Sequence, residues 1–451
     1  MPFLAAQDRR RAAPWLGVLA AFTLGVAPAA AAPPPPSDKA FTLEAAVLWA
    51  LRHNPDLAAV RQQHNIAAAA VVIARTYPFN PVAQSFVLGD NGPASSGVTN
   101  HVFNEHTMRL DLELRHQGQY RRQMAQAALS RTDWEIANQE LLLAVRVARA
   151  FAAFVYRRDK LRLVDEGIRL QDETAAQVAK LVEQGRLPAA ELLLARANAA
   201  DARALRPPAY SLAVAAWHDL RRLLGIDQGT FEVDGVLEPP PLDLAGIDLE
   251  REALQQRPDH RALSLAVQEA SARTRLEIAN RFGNPSLGPA FEYNETRDYF
   301  IGMWAFYPIP VINTRKGEIM QRRAEQQRAV LALQANETTI RQDVAAALAR
   351  LKNAADMVNA YRTEALPALL KAQEDMDKLF SQGEAGADVV RVLDLRRRVL
   401  RARDQYLDAL FEYAQARADL MAAVGDLALV LPPCEPEEPP ATLPPPRPQQ
   451  P

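Results

Sequence analysis

The sequence predicts a mainly α-helical fold with strand hairpins, in which one unit is built twice. Three observations predict this fold: a very long helical stretch without proline, a segment in which apolar and charged residues alternate, and landmarks that recur after about 200 residues. Each observation belongs to a different element of the repeated unit.

Residues 121–184 form the long helical stretch, which contains no proline and a single glycine, Gly167. At about 1.5 Å rise per residue, such a helix would be roughly 100 Å long. Apolar residues recur in it at seven-residue spacing, namely Val147, Phe154, Leu161 and Ile168. This period predicts a seam that packs against neighbouring helices in a coiled coil.

The repeat is visible in paired landmarks. They are Asn54-Pro55 with Arg257-Pro258, Gln184-Gly185 with Gln382-Gly383, and Leu224-Gly225 with Val424-Gly425. Similar spacing between several landmarks indicates duplication of one unit. We therefore expect a first repeat at 41–226 (strand hairpin 82–115, long helix 118–184, return helix 189–225), a connector at 227–247, and a second repeat at 248–426 (strand hairpin 287–311, long helix 316–381, return helix 387–425).

Both ends of the chain differ from the repeats. Residues 1–32 combine three arginines, an apolar stretch and small residues, the pattern of a secretory signal peptide. A retained anchor is the alternative, although the apolar stretch is shorter than the ~20 residues of a spanning helix. Residues 33–40 predict a Pro-rich linker, and residues 427–451 a Pro-rich C-terminal tail that contains the only cysteine, Cys434.

In the first hairpin the apolar residues alternate with charged ones. The apolar positions are Met108, Leu110, Leu112 and Leu114. Alternation of this kind predicts a strand with one apolar and one charged face. Either a membrane hairpin or the edge of a soluble sheet would fit. Four strands cannot close a barrel alone, so membrane strands would require other copies of the chain.

The second hairpin is aromatic. Residues 291–307 hold seven aromatic side chains, including Tyr299 and Trp304. Aromatic strands are typical of a membrane-interface belt, but they also occur in ordinary cores. Beside a signal peptide and a hairpin with one charged face, the membrane interpretation is favoured.

Composition excludes several function classes. The net charge of −2 gives no basic excess, so we expect no nucleic-acid partner. The seven histidines lack the spacing of a metal site, and no nucleophile or phosphate-binding motif is present, so we expect no enzyme and no cofactor. A periplasmic structural coiled coil without a barrel and a secreted metalloenzyme remain as alternatives.

Several segments carry a family resemblance. They are the strand-to-helix segment Tyr307–Ile319, Leu366-Pro367-Ala368, Phe380–Glu384 and the start of the return helix at Val390–Asp394. In this order, within a twofold repeat, they resemble the TolC-type outer-membrane efflux channels, and most closely their heavy-metal (cobalt-zinc-cadmium) resistance branch. The resemblance covers roughly residues 41–426.

The resemblance implies a homotrimer whose strands form a 12-stranded β-barrel in the outer membrane, continued by an α-helical barrel across the periplasm. It implies contact with outer-membrane lipid through both hairpins. It also implies a passive exit duct for metal ions or small toxic compounds, served by a periplasmic adaptor protein and an inner-membrane pump of the RND type.

The resemblance also assigns roles to residues at the two helix tips. Adaptor docking falls on Gly185, Arg186, Leu187, Gly383 and Glu384. The pore constriction falls on Asp394, Arg391 and Asp388, where Arg391 departs from the family's acidic pattern. Alternatively, Asp394 pairs with Arg391 or Arg397 inside the helix bundle. The arginines of the second return helix predict a solvated face paired with acids, or a basic stripe that guides substrate.

Overall fold

The computed structural model describes residues 40–90, 101–237, 247–294, 298–382 and 389–426. The expected signal peptide, most of the linker, the C-terminal tail and part of the connector lie outside these residues. So do three residues assigned to the tips, Gly383, Glu384 and Asp388.

The first repeat begins with two short helices joined at one residue. Thr42 caps the first helix by accepting a hydrogen bond from the Ala45 amide, and Asn54 caps the second. The elements are α1 (Leu43–His53), α2 (Pro55–Arg75), β1 (Val82–Asp90), β2 (His101–Asp111), α3 (Gln117–Glu183), α4 (Ala189–Ala204) and α5 (Arg206–Leu224). The return helix expected at 189–225 consists of two helices that meet at Leu205, next to the Pro207-Pro208 pair that was expected to kink or break it.

The second repeat follows the same order. Its elements are α6 (Leu249–Gln256), α7 (Pro258–Ala279), a 3₁₀ turn (Asn280–Phe282), β3 (Ser286–Tyr293), β4 (Tyr299–Phe306), α8 (Lys316–Asn359), a π-helical segment (Ala360–Ala365), α9 (Leu366–Gln382) and α10 (Val389–Val424). The twofold repeat predicted from the landmarks is therefore confirmed.

The long helix of each repeat has the same number of residues. α3 is continuous over 67 residues, and α8, the π segment and α9 together also span 67. The π segment lies just before Pro367, which has no amide hydrogen and would clash with the carbonyl of Thr363 in a regular helix. A π-helical turn is the local adjustment that removes this conflict.

The four strands form one antiparallel sheet in the order β1-β2-β3-β4. The pairing of β2 with β3 joins the two repeats, with Leu110 opposite Leu287. In the described sheet β1 and β4 are the edge strands. Their outer hydrogen-bonding groups are a ready template for another strand.

The core lies about halfway along the long helices, between the sheet and the helix tips. The largest buried cluster packs α1, α3 and α5 together and includes Val47, Val147 and Leu220. Val358 of α8 and Leu410 of α10 join the same cluster, so that core is shared by both repeats. A second cluster is built from α6, α8 and α10.

Candidate functional site

The strand register divides the sheet into two chemically different faces. Residues paired across antiparallel strands point to the same side, as do residues two apart on one strand. The charged residues whose side chains are described all fall on one face, namely Glu105, Arg109, Asp111 and Glu292. The other face carries no charge among the described side chains.

The uncharged face contains three of the residues predicted for the membrane hairpins. Met108 and Leu110 lie on it in β2, and Tyr299 lies on it in β4, opposite Tyr293. Its polar members include Ser85 and His106, which hydrogen-bond each other at 2.7 Å between Oγ and Nδ1. A largely apolar face on which Ser85 and His106 hydrogen-bond each other is suited to contact with lipid.

Trp304, which was also predicted for the membrane hairpins, lies on the charged face rather than with Tyr299. Its register partner is Gly288, and its ring stacks beside Phe306 with centroids 6.2 Å apart. In β4 both faces are apolar, so alternation could not assign Trp304 to a side.

The alternation predicted Leu112 and Leu114 within the strand, but β2 ends at Asp111. The Leu112 amide still donates to the Pro285 carbonyl at 2.7 Å, but Leu114 is exposed beyond the sheet. Between them Glu113 turns inward and pairs with Arg121 at 2.6 Å. The alternation at 108–115 therefore spans the end of a strand and the first residues of the connection to α3.

The first helix tip is a tight reversal. Gly185 has φ +70°, and the Gly185 and Arg186 amides donate to the Val182 and Leu181 carbonyls, both at 2.9 Å. This pattern closes a helix through a left-handed residue, which glycine adopts without strain. Leu187, the third of the predicted docking residues at this tip, is half-buried.

At the second tip the structure describes α9 as far as Gln382 and α10 from Val389. Asp394 pairs with Arg398 one turn later at 2.9 Å, and both side chains are more than half exposed. The expected alternative partners were Arg391 or Arg397; Arg397 donates instead to Asn198 of α4. Asp394 therefore remains an exposed carboxylate whose charge is partly balanced by its own helix.

The arginines of α10 mostly contact acids and amides on neighbouring helices. Arg396 pairs with Asp377 of α9 at 3.1 Å, and Arg403 pairs with Glu166 of α3 at 2.7 Å. These contacts favour the paired face over a free basic stripe.

One ionic cluster was missed at the sequence level. The Lys160 ammonium of α3 lies between the carboxylates of Asp404 and Asp408, at 2.7 and 2.8 Å, and Tyr156 donates to Asp408 at 2.6 Å. Burial alone would lower the pKa of Lys160, but hydrogen bonds to both carboxylates raise it above the ordinary value. The sequence did contain one indication of this cluster: Asp404 and Asp408 are four residues apart, so they share one face of α10.

Candidate metal ligands are dispersed. His64 contacts Asp133 at 2.6 Å between Nδ1 and Oδ1, far along the chain from the His106–Ser85 pair. Within the described ranges, no three His, Cys, Asp or Glu side chains are grouped to hold a metal ion. None of the described helices is both long enough and apolar enough to cross a membrane.

Comparison with known proteins identifies the architecture. The sequence model of the family described as outer membrane efflux protein matches residues 49–226 and 249–426, once for each repeat. No curated protein matches the chain by sequence.

Solved structures share the fold at low identity. A crystal structure of CusC, described as showing changes that accompany folding and transmembrane channel formation, matches with TM-score 0.70 and 19% identity over 85% of this chain and 92% of that one. The open state of the Neisseria gonorrhoeae MtrE outer membrane channel matches with TM-score 0.68 and 20% identity, over 85% of this chain and 89% of that one. The outer membrane protein VceC from Vibrio cholerae matches with TM-score 0.66 and 16% identity, over 85% of this chain and 96% of that one.

The family model covers most of the chain in two blocks that coincide with the structural repeats. The long helices and the four-stranded sheet agree with the solved channels in fold. The chain therefore belongs to the outer membrane efflux protein family and is an outer-membrane channel component of an efflux system.

Proposed function

We propose that three copies of this chain assemble into a passive exit duct for metal ions or small toxic compounds. The observation that carries the proposal is a sheet with one charged face and one uncharged face, open at β1 and β4 and joined to helices of 67 residues. Pairing β4 of one copy with β1 of the next would satisfy both edges and close twelve strands. The uncharged face would then meet lipid and the charged face would line the duct.

The partners follow from the two ends of the assembly. A periplasmic adaptor would dock at the tips through Gly185, Arg186 and Leu187, together with Gly383 and Glu384, and an inner-membrane pump of the RND type would supply the energy. Gly185 and Arg186 are exposed at the tight reversal, which leaves the first tip accessible to such a partner. The proposal assigns the chain no catalytic step and no cofactor.

A constriction at the second tip would involve Asp394, with Arg391 and Asp388 near it. Threefold symmetry would place three Asp394 carboxylates around one axis, where like charges repel when the duct is closed. Asp394 is more than half exposed, which leaves it available to such a ring despite its pair with Arg398.

Planar-bilayer recordings of the purified protein test this constriction. We expect Asp394→Ala to raise the conductance of the closed duct and to reduce its preference for cations. Arg398→Ala is the matched control, because it keeps the acid and removes its partner; it should strengthen the cation preference. Unchanged conductance and selectivity in Asp394→Ala would remove this residue from the constriction.

Cross-linking in cells tests the partners. A photoreactive residue at position 187 should capture an adaptor, whereas one at Met320, near the opposite end of the helices, should not. Native mass spectrometry of the detergent-solubilised protein should give three copies. A monomer, or equal capture from both positions, would contradict the assembly proposed here. A periplasmic coiled coil without a barrel gains no support from the family match.

Growth assays address the cargo. A strain lacking the gene should become sensitive to metal salts, to organic toxic compounds or to both, and restoration by the intact chain assigns the class. Sensitivity to neither class would contradict a role in exporting such compounds.

A further inference from the structure

The segment between β4 and α8, residues 307–315, presents apolar side chains to the surroundings; we refer to it as the junction loop. Ile309 and Val311 are about three-quarters exposed, and Ile312 is 98% exposed. An isolated exposed leucine or isoleucine is common, but three in four positions form a patch that calls for a partner.

The loop lies at the helix-proximal end of the sheet. Its preceding strand ends at Phe306, which pairs with Ser286 at the start of β3. Pro308 packs against Gly283, where a Cβ atom would come within 2.7 Å of the proline ring. The loop is thus fixed beside the strand ends while its isoleucines point away from the chain.

The backbone of the loop is suited to a region with little water. Pro308 and Pro310 have no amide hydrogen, and the Val311 amide donates to the Ile309 carbonyl at 2.9 Å. A backbone donor that is absent or already hydrogen-bonded lowers the free-energy cost of moving the loop from water into lipid.

The corresponding connection of the first repeat has different chemistry. Residues 112–116 include Glu113, bound to Arg121, and Arg115, whose guanidinium lies 3.6 Å above the Phe282 ring. The junction loop has no charged residue before Arg315, which pairs with Glu277 at 3.1 Å. The exposed Lys316 follows at the start of α8, in a position to meet lipid phosphate.

We propose that the junction loop inserts Ile309, Val311 and Ile312 into the inner leaflet of the outer membrane, near its headgroups. This rests on the proposed function, which turns the uncharged face of the sheet to lipid. The loop follows directly on the end of β4, so it would fix the depth at which the sheet sits. Phospholipid is favoured over a second copy of the chain because the patch is small, contains two prolines and is followed by a basic residue.

Nitroxide accessibility measures the surroundings of the loop directly. Cys434→Ser removes the only native cysteine, after which Ile312→Cys can be labelled in the full-length protein. Two matched controls carry the same label: Ile301→Cys, 79% exposed on the uncharged strand face, and Leu193→Cys, 67% exposed on α4 near the first tip. Each is reconstituted in phospholipid vesicles, and collisions with oxygen and with a water-soluble nickel chelate are recorded.

We expect the label at 312 to favour oxygen over the nickel chelate several-fold, as at 301, with a shallower depth. The label at 193 should show the opposite preference. Free access of nickel at 312, with a lipid signature at 301, would overturn the loop proposal and leave the proposed function intact. Low access of both reagents at 312 would indicate a neighbouring copy and would also overturn it. A nickel-accessible label at 301 would contradict the proposed orientation of the sheet itself.

Position 312 is exposed, so its substitution leaves the described core untouched. Val311→Cys provides a second site in the same loop and should give the same lipid signature. Helical content by circular dichroism and the copy number by native mass spectrometry should match the parent protein. Opposite results at 311 and 312 would reject insertion of the loop as a unit.

Discussion

In the first repeat Asn54 lies between α1 and α2, and in the second Arg257 occupies the matching place between α6 and α7. The Asn54 amide donates to the Leu223 carbonyl at 2.9 Å, while its oxygen accepts from the Leu57 amide at 3.0 Å. Both contacts are neutral, and Asn54 is buried. One side chain thus caps the end of α5 and the start of α2.

Arg257 reaches the equivalent carbonyl with a charged group. Its guanidinium donates to Ala423 at 3.3 Å and contacts Asp259 and Asp343 at 2.7 and 3.1 Å. Burial alone would lower the pKa of Arg257, but the two acids raise it; burial would raise the pKa of Asp259, but Arg257 lowers it. The comparison shows that duplication preserved the position of the contact and changed its chemistry.

We expect Arg257→Leu to have the largest effect, since it leaves partly buried Asp259 without its cation. Breaking such a pair costs about 3 kcal/mol, against about 1 kcal/mol for removing a neutral cap in Asn54→Ala. Denaturant unfolding followed by circular dichroism gives both free energies of unfolding. Hydrogen exchange should localise the loss to α6 and the end of α10. Equal costs for the two variants would mean that the charge adds nothing.

The glycine that follows each return helix should matter equally in both repeats. Gly225 and Gly425 have φ of +70° and +83°, and an added Cβ would lie 2.9 Å from the His53 carbonyl oxygen or 3.0 Å from the Arg257 Cα. The left-handed conformation alone costs about 1–2 kcal/mol in other residues. Alanine at either site should therefore lower the free energy of unfolding by about 2 kcal/mol. A cost at only one site would show that the repeats differ in backbone as well as in side chains.

Lowering the pH should distinguish the Asn54 site from the Arg257 site, but more weakly than the substitutions above do. The pKa of Asp259 is depressed below 3.8 in the folded chain, so its stabilising contribution is present above that value and is lost as pH falls through the lower, folded pKa. The advantage of the parent chain over Asp259→Asn should shrink between about pH 4 and pH 2. Asn54→Ala serves as the control, because its deficit should not change over the same range. A pH-independent gap for Asp259→Asn would contradict the ionic account.

Pro367→Ala should have the smallest effect on global stability, within about 1 kcal/mol. Its effect should be local, since alanine restores the missing amide donor and removes the clash that the π segment relieves. Hydrogen exchange at residues 360–365 should slow, whereas the continuous α3 provides an internal reference that should not change. Unaltered exchange would show that the π segment does not depend on the proline.

Elements with strong periodicity were predictable, whereas their packing phase was not. The seven-residue spacing in α3 predicted a seam through Val147, Phe154 and Leu161. Val147 is buried, but Phe154 and Leu161 are only half-buried, whereas the neighbouring Val155 is buried. The period is fixed by the sequence of one helix, while the phase depends on which side the neighbouring helices approach. The face of Trp304 could not be predicted for a similar reason, because only pairing with β3 sets it.

The ionic contacts between helices were the least predictable feature. Lys160 and Asp404 are far apart in sequence and meet only because α3 and α10 lie side by side. The tight turn at Gly185, by contrast, could be predicted, since the residues that close it are adjacent in sequence.

The π segment shifts the register of the helix by one residue, so that different positions face the core before and after it. Buried residues of α8 follow alternating steps of four and three, ending with Leu351, Ala354 and Val358. If the same spacing continued through the π segment, the buried positions of α9 would be Ala368, Ala372 and Asp375, but all three are exposed. The half-buried positions of α9 instead include Leu369, Gln373 and Met376, each one residue later. Heptad positions assigned before Ala360–Ala365 therefore do not carry over to the residues after it. Core-facing positions for substitution must be identified separately in α8 and in α9.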